Sequence, residues 1–267
     1  MASLELEARL DNLLSTAQAE TANVDLFAPI PEREECPICM VTLPIINTKG
    51  TLFHPCCGKI ICGGCIYKSL MKGIKDNGAD SSKIGLCAFC RQQAPENDTK
   101  AIKKLMKKKN PHAFMHKAER YKAGAYGVFQ SYTRALEMYT CAAELGNAEA
   151  FEKIGSCYHT GIAVEQDKSK ALEYWEVAAK KGCIKAHLAL AGYKVNADQH
   201  YTDHLKVAAS AGDKHSMDAL MKLYKLNELS KEELTQTLRA FQASTNEMKS
   251  KDRDDYVEFL RRKNLIN

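Results

Sequence analysis

TRALEMYTCAAELG, residues Thr133–Gly146, and SKALEYWEVAAKKG, residues Ser169–Gly182, are two versions of one pattern set 36 positions apart. The end of the pattern returns a third time as VAASAG, Val207–Gly212, 30 residues further on. YKAG (Tyr121–Gly124) and YHTG (Tyr158–Gly161) mark a glycine-containing loop inside each unit. A period of this length signals a repeat architecture. Each unit reads as helix, loop, helix, then a glycine suited to a left-handed C-cap. Small alanines let antiparallel helices approach closely, and Leu136, Tyr139, Leu172 and Trp175 are expected to fill the space between units. Such units stack into a solenoid with a concave face, stable only as an array.

The stretch from Gly146 to Gly182, GNAEAFEKIGSCYHTGIAVEQDKSKALEYWEVAAKKG, resembles a Sel1-like repeat, a relative of the tetratricopeptide repeat. The resemblance covers about residues 98–245. Its third unit departs from the pattern: AGYKVNADQHYTDHL (Ala191–Leu205) lacks the glycine loop and is shorter by six residues. A degenerate fourth unit carries Tyr224 and the capping-box signal Ser230 to Glu233, where serine and glutamate satisfy each other's backbone N–H groups.

The flanks read as further helices. Leu4, Leu6, Leu10, Leu13 and Leu14 suggest an amphipathic helix at the N-terminal end, and Tyr256, Val257, Phe259 and Leu260 give a second one near the other end. The lysine run KKLMKKKN (Lys103–Asn110) has the composition of a nucleic-acid patch. Its alignment with the second helix of a repeat favours a solvated helix face instead, with Ala101, Ile102, Leu105 and Met106 inward. A net charge of +5 in 267 residues does not by itself imply a nucleic-acid partner. No apolar run reaches eighteen residues, so no transmembrane helix is expected, and the first residues lack a secretory pattern.

Eleven cysteines are present, eight of them between Cys36 and Cys90. Cys141, Cys157 and Cys183 read as small apolar residues on helices. The other eight follow C-x2-C-x16-C-C-x4-C-x2-C-x21-C-x2-C, with three C-x2-C pairs at Cys36/Cys39, Cys62/Cys65 and Cys87/Cys90. Two residues between ligands let a tight turn aim both sulfurs at one ion, and zinc takes four such ligands in a tetrahedron. Eight thiolates fill two sites. A dithiol redox motif would not explain three repeats of the spacing. Spacing alone leaves the pairing open. A sequential arrangement groups Cys36, Cys39, Cys56 and Cys57, then the remaining four. An interleaved one gives Cys36, Cys39, Cys62 and Cys65 one ion, and Cys56, Cys57, Cys87 and Cys90 the other.

CPIC at the start and CAFCR at the end resemble the RING finger over about residues 36–91, and that resemblance implies the interleaved arrangement. A common RING places histidine where Lys59 stands. An ammonium has no free lone pair, so Cys56 is expected to take the place, with His54 in reserve. RING domains are ubiquitin ligases that hold a charged conjugating enzyme in a reactive conformation, a gain from positioning. The resemblance implies contacts to that enzyme from Ile38, before the second ligand, from Leu70 with Ile66 and Tyr67 on the following helix, and from Arg91, directly after the last ligand. Ala88 departs from the proline common at its position and puts that contact in doubt.

The expected organisation is therefore an N-terminal amphipathic helix and linker (1–30), a two-zinc cross-brace RING domain (31–95), Sel1-like helical repeats (96–245) and a C-terminal helix (246–267), in a mainly α fold. The combination resembles RING-plus-Sel1 proteins of unicellular algae. It implies two Zn2+ ions, a ubiquitin-conjugating enzyme and a protein substrate or adaptor as partners, no membrane, nucleic acid disfavoured, and an intracellular, cytoplasmic or nuclear location. The competing expectation is a zinc-stabilised interaction scaffold that catalyses nothing.

Overall fold

The computed structural model describes residues 2–31, 33–44, 50–77, 86–93, 98–125, 127–194 and 200–263. The elements run α1 (Ala2–Glu20), β1 (Thr51–His54), β2 (Lys59–Cys62), α2 (Gly63–Asn77), α3 (Thr99–Lys107), α4 (Pro111–Ala123), α5 (Tyr132–Glu144), α6 (Ala148–Thr160), α7 (Lys168–Lys180), α8 (Ile184–Lys194), α9 (Tyr201–Ser210), α10 (Lys214–Lys225), α11 (Lys231–Glu247) and α12 (Lys251–Arg262). They divide into two compact units, neither contiguous in sequence. One comprises residues 1–31 and 109–244, the other residues 32–108 and 245–267.

In the larger unit the repeat motif has a local cause. Gly146, Gly182 and Gly212 stand at φ of 84°, 86° and 94°, a region open to glycine and costly for other residues, and each ends the second helix of its unit. At two of these joints the next residue starts the following helix with its side chain. Asn147 accepts from the backbone N–H of Ala150 at 2.9 Å, and Asp213 accepts from Ser216 at 2.8 Å. In the first two units the inner loop is closed by a second repeated arrangement of atoms: the Ser131 N–H donates to the carbonyl of Tyr121, and the Asp167 N–H donates to that of Tyr158. Ser131 and Asp167 then cap α5 and α7. The expected capping box forms as well, with the Ser230 N–H donating to Glu233 and the Glu233 N–H donating to the Ser230 hydroxyl. Residues 195–199, in the shortened third unit, lie outside the described residues.

The core of this unit is continuous across α1 and α4 to α8, with a second cluster under α9 to α11. Leu136, Tyr139 and Trp175 are buried as expected, but Leu172 is only partly so, and Tyr174 takes the fully buried place. Its hydroxyl donates to the backbone carbonyl of Leu10 at 2.7 Å. Helix α1 therefore belongs to the repeat core. Leu10, Leu13, Leu14 and Ala17 face inward, whereas Leu4 is 71% exposed. Pairs Arg9–Glu144, Lys170–Asp11 and Lys181–Glu20 flank the seam. Cys183 is buried and Cys157 half-buried in the same core, and burial pushes their thiols up to about 12 and about 11. Burial of this kind disfavours the reactive thiolate at both positions.

The smaller unit holds the cysteine-rich segment, a two-stranded antiparallel sheet pairing Thr51 with Cys62 through His54 with Lys59, and helices α2, α3 and α12. Helix α3 thus groups here and not with the repeats to which its alignment assigned it. Helix α12 packs against α2. The glycines between Cys62 and Cys65 make that contact possible: a Cβ on Gly63 would lie 2.1 Å from the Tyr256 ring, and one on Gly64 would lie 2.7 Å from the backbone of Arg253. Residues 94–97, at the expected boundary between the RING domain and the repeats, lie outside the described residues.

Candidate metal centre

The first C-x2-C pair sits in a tight turn. The N–H of Met40 donates to the carbonyl of Cys36 at 2.9 Å, and the N–H of Cys36 donates to Val41 at 3.1 Å. The third pair builds the same turn: Arg91 N–H to Cys87 carbonyl at 3.0 Å, and Cys87 N–H to Gln92 at 2.8 Å. Met40 and Arg91 both follow the second cysteine, and both take left-handed backbone angles, φ 55° and 60°. The two turns are one device used twice. The middle cysteines come from different elements. Cys56 and Cys57 lie in the turn joining β1 to β2, where the N–H groups of Cys57 and Gly58 donate to the His54 carbonyl. Cys62 ends β2, and Cys65 sits in the first turn of α2.

These elements bring the sulfurs together in two groups, Cys36, Cys39, Cys62 and Cys65 in one, Cys56, Cys57, Cys87 and Cys90 in the other, with all four sulfurs of each group within 4.8 Å of one another. The grouping is the interleaved one. Sulfur separations of 3.8 Å for Cys39–Cys62, 3.9 Å for Cys57–Cys87 and 3.5 Å for Cys56–Cys90 can be compared with a tetrahedron of roughly 2.3 Å metal–sulfur bonds, whose edge is about 3.8 Å. Both groups fit a metal ion of that size. His54 is in neither group. Its Nε2 is buried with no hydrogen-bond partner, and burial lowers its pKa. The adjacent pair Cys56 and Cys57 can both reach one centre because the turn that carries them is sharp.

The thiols differ in a regular way. Burial alone would raise Cys36, but backbone N–H groups of Cys62, Cys39 and Ile38 directed at its sulfur bring it down to about 7. Cys87 is lowered by the same arrangement, against its burial, through the N–H groups of Cys90 and Phe89. Cys39, Cys56, Cys57 and Cys65 are pushed up by burial, with neighbouring cysteines adding to it. Four thiolates this close repel one another, and a bound dication reverses that balance by favouring every one of them as thiolate.

Around the first group α12 forms a clamp. The Arg253 guanidinium donates to the carbonyls of Thr42, Val41 and Met248 at 2.7, 3.0 and 2.8 Å. It thereby fixes the chain leaving the first knuckle. Tyr67, expected to face a partner, instead packs against Phe259 and Tyr256, with ring centroids 5.0 and 6.1 Å away. Ile66 packs into the cysteine cluster. Ile38 is 40% exposed, Leu70 half-buried and Arg91 exposed, its guanidinium donating to the Ser69 hydroxyl at 3.2 Å. Ala88 is buried, and its neighbour Phe89 is 43% exposed. The sequence reading missed Gly63, Gly64, Arg253 and Phe89. The paired glycines between two ligands were the available signal for the first two, since adjacent glycines inside an element mark a close approach.

Fold and site together define a class: a helical-repeat array joined to a cysteine-rich unit able to hold two metal ions. The repeats can be placed further. Residues 118–147 and 149–183 match the family model of the Sel1 repeat, so the array is a Sel1-like helical solenoid. The chain is similar to protein sel-1 homolog 2 of Mus musculus, 25% identical over 193 residues, covering 71% of this chain and 28% of the mouse protein. Its similarity to protein sel-1 homolog 2 of Rattus norvegicus is 25% over 197 residues, covering 72% and 28%. The chain therefore spans about 28% of the length of these curated relatives. Among solved structures it is similar to a Sel1 repeat protein from Oxalobacter formigenes, with a TM-score of 0.48 and 23% identity over 66% of this chain and 71% of that one. It is also similar to c5321, a protective antigen of uropathogenic Escherichia coli strains displaying an SLR fold, with a TM-score of 0.48 and 20% identity over 67% and 41%. Among the described residues, no helix is long and apolar enough to cross a membrane.

Proposed function

We propose that the protein is a RING-type ubiquitin ligase whose cysteine-rich unit holds two zinc ions and whose Sel1-like repeats recruit a protein substrate or adaptor. The observation that carries this reading is the interleaving: Cys36, Cys39, Cys62 and Cys65 converge on one point, and Cys56, Cys57, Cys87 and Cys90 on another. With four thiolates per ion no coordination position is left for water, so the zinc is structural. The chain supplies no nucleophile of its own. Ile38, Leu70 and Arg91 contact the conjugating enzyme. Arg91 is suited to bridging two partners because its planar fork of donors can bind two carbonyls at once, and the metal-anchored turn fixes its backbone. The repeats act as an extended docking surface for the substrate or adaptor.

Autoubiquitination with a panel of conjugating enzymes tests the reading. Arg91→Ala is expected to lower activity about tenfold or more, the worth of one charge-assisted hydrogen bond in the closed complex, with zinc content and helicity unchanged. Ile38→Ala is expected to shift the midpoint of a conjugating-enzyme titration. A second reading, a zinc-stabilised scaffold without catalysis, is favoured by the burial of Ala88 and by the packing of Tyr67 under α12. Wild-type protein that carries two zinc ions and is inactive across the panel establishes that reading in place of the first.

A further inference from the structure

Helix α3 carries Lys100, Lys103, Lys104 and Lys107, all exposed, and Lys108 follows as its exposed C-terminal cap. The first four are spaced i, i+3, i+4 and i+7. At 3.6 residues per turn they share about 100° of arc along roughly 10 Å of axis. The opposite side holds Ile102, which is buried, with Leu105 and Met106 half-buried. This anchors the helix with its lysine face turned to solvent. Like charges at i, i+3 and i, i+4 destabilise a helix. Among the described residues none of these five lysines makes an ion pair, whereas Lys68, Lys153, Lys170, Lys181, Lys185 and Lys206 each do. The objection to a nucleic-acid reading was that the run belongs to a repeat helix. Helix α3 does not group with the repeats.

We propose that the lysine face of α3 is a sequence-independent contact for the phosphate backbone of a nucleic-acid duplex. The choice among polyanions follows from what surrounds the charges. Lysine is depleted from protein–protein interfaces, which form around an apolar core, and α3 exposes no large apolar side chain. A lipid surface adds apolar insertion to charge, and the apolar side of α3 is turned inward. Phosphate oxygens ask only for positive charge at short range, which a flexible ammonium meets from many directions. The face has no arginine, asparagine or glutamine with which to read base edges.

The test is fluorescence anisotropy of the full chain with two labelled 24-base-pair duplexes of unrelated sequence, from 50 to 200 mM KCl. Four phosphate contacts predict a slope of log Kobs against log salt of about −3.6, roughly a 150-fold loss of affinity over that range, and equal binding of both duplexes. K100Q/K103Q/K104Q/K107Q is expected to bind at least tenfold more weakly at 50 mM, with a flattened slope and unchanged zinc content and circular dichroism. No binding by the wild type, an unchanged slope in the variant, or tighter binding to polyglutamate or phosphatidylserine vesicles than to duplex each overturns the proposal.

Discussion

The two compact units solve the same problem with different materials. The repeat unit buries a continuous apolar core across α1 and α4 to α8, with Leu10, Leu136, Phe151, Ile154, Tyr174 and Leu190 at its centre. Among the described residues, the cluster that surrounds the sulfurs in the cysteine-rich unit has only Leu43, Ile61 and Ala88 buried beside its cysteines. Three side chains bury too little surface to offset the entropy of ordering the segment, at roughly 1–2 kcal/mol per residue. Metal ions held by the two sulfur groups would supply what the apolar residues lack. One unit spreads its stability over many contacts. The other, with both sulfur groups filled, would concentrate it at two points, and it adds the Arg253 clamp as a brace.

That contrast is broken most directly by removing metal. Chelation is expected to unfold the cysteine-rich unit and leave the repeat unit helical, since structural zinc contributes on the order of 10 kcal/mol in small domains. Metal analysis before chelation is expected to give two zinc ions per chain. Loss of the repeat helices on chelation would show that the units are not independent in stability. The counterpart in the repeats is Tyr174→Ala, which removes a fully buried ring and its hydrogen bond to Leu10. It should cost about 3–5 kcal/mol, read as a lower urea midpoint with zinc content unchanged.

A pH titration sharpens the comparison next. His187 and His204 are buried with their Nδ1 atoms 3.0 Å apart, so one donates and the other accepts. Burial, then the neighbouring His204, lowers the pKa of His187 to about 4, from 6.5. The unfolded chain therefore takes up the proton first. The contribution is complete above pH 6.5, is lost as pH falls toward 4, and amounts to about 3 kcal/mol. Thermal unfolding of the repeats should show that decline, and His187→Gln should flatten it. The smallest effect belongs to Gly64→Ala, whose new methyl meets backbone of α12. Overpacking of this kind costs about 1–3 kcal/mol and should loosen α12, measured by hydrogen exchange, while both metal sites stay filled.

Much of this was readable in the chain because its causes are local. The glycine that ends each repeat, the capping box at Ser230 and the sulfur pairs in tight turns each depend on fewer than about six consecutive residues. Positions set by partners far along the chain were less legible. Tyr174 outranks Leu172 in burial because α1, some 160 residues earlier, supplies the carbonyl its hydroxyl needs. Tyr67 has the composition of a partner contact, but α12, nearly 190 residues later, covers it.

By itself, then, the sequence determined the period of the array, the glycines that stop its helices and the number of metal sites the thiols can complete. Backbone angle, side-chain capping and ligand spacing act within a turn or two, and nothing remote can cancel them. Only the tertiary structure decided that Cys56 and not His54 joins Cys57, Cys87 and Cys90, because both candidates satisfy the local spacing and the β1–β2 turn aims one of them inward. Only it decided that α1 completes the repeat core, that α12 braces the cysteine-rich unit and that α3 groups with the latter. Amphipathic helices carry an apolar face that many surfaces could bury, so their sequence fixes that they dock without fixing where.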